Sequence, residues 1–211
     1  MREITGYAGP WRLRYPVRPT GPVLKTGPVS TRPTKAQLAA AHGTVIPDVL
    51  APDLDVLFCG INPGLYSGAL GLHFARPGNR FWPALHGGGF TPRRFDPSEQ
   101  ESLLELGIGI TNVVARATAR ADELSHDELR EGGQLLAAKV VEYRPRWLAV
   151  VGITAYRVAF GFPKAQVGRH DQVIGSTRVW VLPNPSGLNA HWTPAGLADE
   201  FARLRSAVVS G

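Results

Sequence analysis

Four short apolar runs, set apart by longer amphipathic stretches, constrain this chain more than any other feature. They fall at residues 55–59, 108–114, 147–151 and 178–182. Runs this short, rich in Val, Ile, Leu and Trp, suit strands buried on both faces of a parallel sheet. The stretches between them carry helix signals. Residues 34–43 run from a threonine to a glycine, and 78–86 read as helical. Residues 98–107 open on Ser98 with Glu101 three positions on, and 125–143 open the same way on Ser125 and Glu128. Residues 154–160 follow the third run, and 193–209 close the chain with Pro194 in the first turn. Strand and helix in alternation predict an α/β fold with a parallel sheet covered on both faces. There is no internal repeat.

Open sheets of this kind collect ligands outside the carboxyl ends of their strands. The segments that follow the strands are therefore where chemistry is expected. They are Gly60-Ile61-Asn62-Pro63-Gly64, Gly152-Ile153-Thr154, and Asn184-Pro185-Ser186-Gly187-Leu188-Asn189.

At 211 residues and 44% hydrophobic content the chain can bury one sizeable core and still carry a tail. No run approaches the roughly 20 apolar residues of a membrane span. The first residues lack the apolar segment of a secretory signal. The single cysteine, Cys59, lies within an apolar run as a small buried hydrophobe and excludes internal disulfides. A soluble, intracellular (cytoplasmic or nucleoid) monomer is the expectation. Residues 1–35 hold seven basic residues against one acid, which equals the whole net charge of +6. The remainder balances, with 16 basic and 16 acidic residues. Six prolines in that first segment forbid a regular helix. Residues 1–35 are thus expected to form an extended basic arm suited to tracking a phosphate backbone, or a solvated tail, and residues 36–211 a single domain.

Familiar catalytic patterns are missing. No Gly-x-x-x-x-Gly-Lys-Ser/Thr string exists, and Gly60-x-x-x-Gly64 has the wrong spacing for a dinucleotide fingerprint. Pro63 also removes an amide that would have cradled phosphate. Ser186 lacks the Gly-x-Ser-x-Gly elbow, and the six histidines show no metal-pair spacing. What remains is a pair of asparagine-proline turns, Asn62-Pro63 and Asn184-Pro185. An asparagine amide does not titrate near neutrality, but it can hold a water or read a base edge with a fixed donor and acceptor. Positioning of that kind suits hydrolysis with a good leaving group. Asn-Pro also simply initiates turns, and both readings stand on these residues alone.

GINPG, then HFARPGNRFW at 73–82, then VLPNPSGLN at 181–189, in that order at strand ends, resembles the mismatch-specific uracil/thymine-DNA glycosylases of the uracil-DNA glycosylase superfamily. The resemblance spans about residues 46–208. It implies a three-layer α/β/α sandwich with a central, mainly parallel sheet, and hydrolytic excision of uracil, with thymine or damaged pyrimidines as further substrates, from mismatched duplex DNA. Asn62 matches the asparagine that positions the hydrolytic water. Gly60, Ile61, Gly64, Tyr66, Phe74, Asn79 and Asn184 match the base pocket, with Phe74 stacking on the extruded base. Ser186, Gly187, Leu188, Asn189 and His191 match the DNA-contacting loop, with Leu188 as the wedge and Ser186 on a flanking phosphate. The resemblance implies no metal and no cofactor, and the absence of a lysine from both motifs implies a monofunctional hydrolase.

Three departures stand out. Tyr66 replaces a small residue expected near the pocket mouth. Ala190 replaces an arginine that helps read the opposite guanine, leaving Asn189 or His191 as substitutes. The segment 111–118 keeps the strand end without its usual Arg-Pro pair. Asp96, the nearest acid after the second motif, is the candidate auxiliary base. The alternative is a nucleic-acid-binding relative of the same fold without catalysis. A small-molecule hydrolase is a more distant third, disfavoured by the basic arm.

Overall fold

A computed structural model describes residues 32–187 and 189–210. The chain orders β1 (Val56–Gly60), β2 (Ile108–Asn112), β3 (Trp147–Val151), β4 (Gly168–Ile174) and β5 (Thr177–Leu182) into one sheet, in the spatial order β2-β1-β3-β5-β4. The four apolar runs are the four parallel strands. The fifth strand, β4, pairs antiparallel with β5 at the sheet edge. Its sequence GRHDQVI carries a weak apolar signal, and only Ile174 along it is buried. An edge strand with one covered face does not need the continuous apolar run of a central strand.

Alternating residues of β1, β3 and β5 feed two separate cores, and β2 adds Ile108 and Ile110 to the first. Val56, Phe58, Ile110, Ala149 and Leu182 face one cluster, with Phe81, Leu85, Leu197 and Phe201 from α3 (Phe81–Gly87) and α6 (Pro194–Ser210). Leu57, Cys59, Leu148, Val150 and Val181 face the other, with Leu129, Leu136, Val140 and Tyr156 from α4 (His126–Tyr143) and α5 (Ile153–Ala159). Two apolar layers on a two-sided sheet give the three-layer α/β/α sandwich. Burial of the order of 25 cal/mol per Å² on both faces holds the strands in register.

Most helix ends lie close to their sequence signals. Ser125 accepts from Glu128 N in the expected capping box of α4. Thr34 caps α1 (Lys35–Ala40), so the last residues of the expected basic arm belong to the domain. The rest of that arm, residues 1–31, lies outside the described residues. One cap is displaced. Asp96, not Ser98, caps a 3-10 helix at Pro97–Leu106, with Glu99 closing the box onto the Asp96 backbone. α2 (Leu65–Leu70) starts immediately after GINPG, where a proline-containing turn masks a helix start. Among the described residues, no helix is long and apolar enough to cross a membrane.

β1 hands the chain to β2 on one side, while β3 sends it toward β5 on the other. That reversal opens a crevice at the carboxyl ends of β1 and β3, which is where a site belongs in such a sheet.

Candidate functional site

A cleft of about 180 Å³ lies at those strand ends. Ile61, Asn62, Pro63 and Gly64 enter it after β1, Asn112 and Thr118 from and after β2, Val151 from β3, and Asn184, Pro185 and Ser186 after β5. Ser67, His73, Phe74, Arg76 and Asn79 close the remaining side. A larger, more open depression of about 420 Å³ runs along residues 162–172 at the sheet edge and shares no residue with the cleft.

The turn after β1 is zipped to the turn after β2. Val113 N donates to Gly60 O, Val114 N to Ile61 O and Thr118 N to Pro63 O. Inside this frame the Asn62 Nδ2 donates to Thr118 Oγ1 at 2.7 Å and to the carbonyl oxygens of Arg116 at 3.1 Å and Pro63 at 3.2 Å. Carbonyl oxygens only accept, so these partners fix which end of the amide is nitrogen. Oδ1, the acceptor, has no protein donor among the described residues. Thr118 in turn donates to Arg120 O at 2.8 Å, which fixes its hydroxyl as acceptor toward Asn62. The Arg116 guanidinium is itself held by Glu128 at the start of α4 and holds that carboxyl at about 2.

Phe74 sits on a left-handed backbone, φ 52°, a conformation costly for an aromatic residue. Its ring stacks on Phe81 with centroids 4.0 Å apart and planes 15° from parallel. The neighbouring main chain is pinned by His73 N to Gln100 Oε1, by Trp82 Nε1 to His73 O, and by Ala75 N to Ser67 Oγ. Phe81 thus backs one face of the ring, while Phe74 forms part of the cleft wall.

His73 is buried and bonded at both ring nitrogens. Nε2 lies 3.0 Å from Pro47 O, so it carries the proton, and Nδ1 accepts from Asn112 Nδ2 at 3.3 Å. Burial pushes the imidazole below its ordinary value of 6.5, which keeps Nδ1 an acceptor. Asn112 is thereby given a fixed orientation in the cleft wall. Sequence reasoning passed over Asn112, His73 and Thr118. The strand-end rule that singled out GINPG selects Asn112 as well, since it is the last residue of β2.

The expected pocket residues are partly rearranged. Ile61, Asn62, Gly64, Phe74, Asn79, Asn184 and Ser186 do line the cleft. Gly60 does not; it lies beneath it, where a Cβ would meet Asn112 Oδ1 at 2.5 Å and the Phe74 ring at 3.2 Å. Tyr66 is absent from the lining because α2 has already begun, and the helical turn brings Ser67 into the wall instead. Asp96 is not among the lining residues; its exposed carboxylate accepts from Ser98 N and Oγ as a helix cap. Asn189 has both ends of its amide engaged, donating to Asn184 O and accepting from His191 N. Gly187 and His191 sit on the same loop outside the cleft lining, and Leu188 lies outside the described residues. Asn184 accepts from Ser186 N, and Asn79 accepts from Phe81 N, each fixing its own turn.

Among the described residues, no three His, Cys, Asp or Glu side chains come together to hold a metal ion. Among the described residues no lysine lines the cleft.

A structural relative shares the fold. The solution NMR structure of a protein from Methanosarcina acetivorans, described as a "putative Uracil DNA glycosylase", matches 77% of this chain and 98% of its own length, at 18% identity and a TM-score of 0.53. Residues 47–206, which contain every strand and all the cleft-lining residues but Ile46, match the profile of the "Uracil DNA glycosylase superfamily". This chain therefore belongs to the uracil DNA glycosylase superfamily.

Proposed function

We propose that the protein excises uracil from mismatched duplex DNA by hydrolysis of the N-glycosidic bond, acting as a monofunctional glycosylase. The fixed amide of Asn62 carries this reading. Three acceptors hold its nitrogen, so its oxygen is preset to accept from a water without any group having to titrate. The water oxygen attacks C1′, the C1′–N1 bond breaks, and the electron pair leaves on uracil N1. The water proton passes to solvent, and the strand keeps an abasic site.

The cleft supports each part of this chemistry. Extruding a base costs a few kcal/mol, least at a mismatch. Phe74, backed by Phe81, offers a face that returns roughly 1–3 kcal/mol in stacking. Asn112, oriented by His73, offers an amide to the edge of the extruded pyrimidine. Arg76, exposed at the cleft margin, is suited to a phosphate. Among the described residues no amine lines the cleft to form an imine with C1′, which favours simple hydrolysis over strand cleavage. Leu188 as a wedge and Ser186 as a phosphate contact follow from the sequence resemblance and belong to the same reading. With Tyr66 outside the cleft lining, the small Ser67 and Gly64 border the space beside the base, which favours a pocket tolerant of a 5-substituent.

The test uses duplex DNA with one G·U pair, followed by alkaline cleavage at abasic sites. Scission at the uracil position is expected, with A·U, G·T and single-stranded uracil as comparators for selectivity. Tight binding without scission would point instead to a non-catalytic nucleic-acid-binding protein of the same fold.

A further inference from the structure

Arg80 has an unusual set of partners. It precedes α3 and is half-buried, yet among the described residues its guanidinium meets no carboxylate. Nη1 donates to Trp192 O at 2.6 Å, and Nη2 to Ser186 O at 2.6 Å and Asn189 O at 2.7 Å. Its main-chain N donates to Pro185 O at 2.9 Å. Its Nε is buried and has no partner among the described residues. A half-buried cation bonded to neutral main-chain carbonyls balances no charge; what its bonds do is hold backbone in place.

What they organise is the segment after β5. The described residues of 183–192 contain no helix or strand, and a loop of that kind samples many shapes when left alone. Three carbonyls from Ser186, Asn189 and Trp192 converge on one planar fork only when the chain curls around it. The opposite side of the curl is equally tight. A Cβ on Gly187 would meet Gly78 O at 2.6 Å, so the loop is pressed directly onto the backbone just before Arg80. The two motifs at 78–80 and 184–192 are one interlocked unit.

We propose that Arg80 is a positioning residue that pre-forms the 185–192 loop for insertion into the duplex, so that it serves base extrusion and not bond cleavage. This rests on the glycosylase reading above. Ordering the loop beforehand removes an entropic penalty from the step in which DNA is opened. Lysine cannot replace it, because a single ammonium does not span three carbonyls in a planar fork.

Single-turnover uracil release is measured on a G·U duplex and on the same strand unpaired, for wild type, Arg80→Lys and Arg80→Gln, with thermal melting to monitor folding. Both variants are expected to lose at least about tenfold on the duplex, the size of one charge-assisted hydrogen bond, and to stay within about twofold on the single strand. Equal losses on both substrates, or no loss on either, would overturn the proposal. Should the Arg80 variants fail to fold, Gly187→Ala perturbs the same interlock from the loop side, and the ratio of duplex to single-strand rates is expected to fall. Chymotrypsin digestion without DNA gives an independent readout. Cleavage after Trp192 is expected to quicken in Arg80→Lys, and an unchanged rate would contradict loop ordering. If wild-type protein releases uracil from neither substrate, the glycosylase reading fails, and the digestion alone decides the role of Arg80.

Discussion

The Asn62 Nδ2 lies 2.7 Å from the Thr118 hydroxyl, a bond between the turns that follow two neighbouring strands. It makes the orientation of the Asn62 amide depend on a residue 56 positions away in sequence. Thr118→Val keeps the shape and removes the acceptor. The carbonyls of Arg116 and Pro63 remain, so the amide loses one of three restraints. A net loss of about 1 kcal/mol in transition-state stabilisation, roughly fivefold in rate, is expected from single-turnover uracil release at unchanged DNA affinity.

His73 gives the protein a defined acid limb. Its folded pKa is lowered by burial, partly offset by the Pro47 carbonyl and Asp48, with Lys139 adding to the lowering. A depressed histidine costs nothing above its unfolded value of 6.5. As pH falls below 6.5 the unfolded chain binds the proton first, and stability declines by up to roughly 1.4 kcal/mol per pH unit until the folded value is reached. His73→Gln can still donate to Pro47 O and accept from Asn112 without titrating. Urea denaturation between pH 7.5 and 5 is expected to show a shallower decline for His73→Gln than for wild type. Protonating His73 also removes the acceptor for Asn112, so uracil release should fall at a pH below 6.5 in wild type and hold in the variant.

Gly60 packs under two site residues at once. A methyl there would strike Asn112 Oδ1 and press on Phe74, which cannot retreat because Phe81 backs it. Gly60→Ala is expected to lower uracil release by about tenfold or more, while costing about 1–3 kcal/mol of stability by overpacking. Full activity in that variant would show that Asn112 and Phe74 need not keep their places.

The basic segment before the domain makes its own prediction. With α1 capped by Thr34, removal of residues 1–33 leaves the helix start intact. If the segment tracks phosphates, truncation weakens duplex binding and flattens the salt dependence by roughly 0.9 per lost contact, read from affinity against salt concentration. An unchanged slope would make it a solvated tail.

The parallel strands were legible because each is largely buried on both faces and carries a short, mostly apolar run. β4 was not, since an edge strand can mix RHDQ with VI and still pair. Asn62 and Phe74 stood out through local motifs, whereas Thr118, His73 and Asn112 act through contacts across the sheet that no local pattern encodes. Tyr66 lies outside the cleft lining for a helical reason: with α2 starting at Leu65, it is Ser67 that enters the cleft wall. Asp96 was drawn toward the site by sequence proximity, yet its carboxylate is committed to capping a 3-10 helix. Ser98 lost the cap to Asp96 because the carboxylate reaches both the amide and the hydroxyl of Ser98.

The central claim is that Asn62 holds the attacking water and does little for binding. Its most direct test pairs Asn62→Ala single-turnover release on a G·U duplex with affinity for a duplex carrying a non-hydrolysable uracil nucleotide. Release is expected to fall by about a hundredfold or more, as when a preorganised polar group is removed from a reacting centre, with affinity within about threefold of wild type. Release within a few-fold of wild type, or a loss of affinity that accounts for the whole effect, would contradict it.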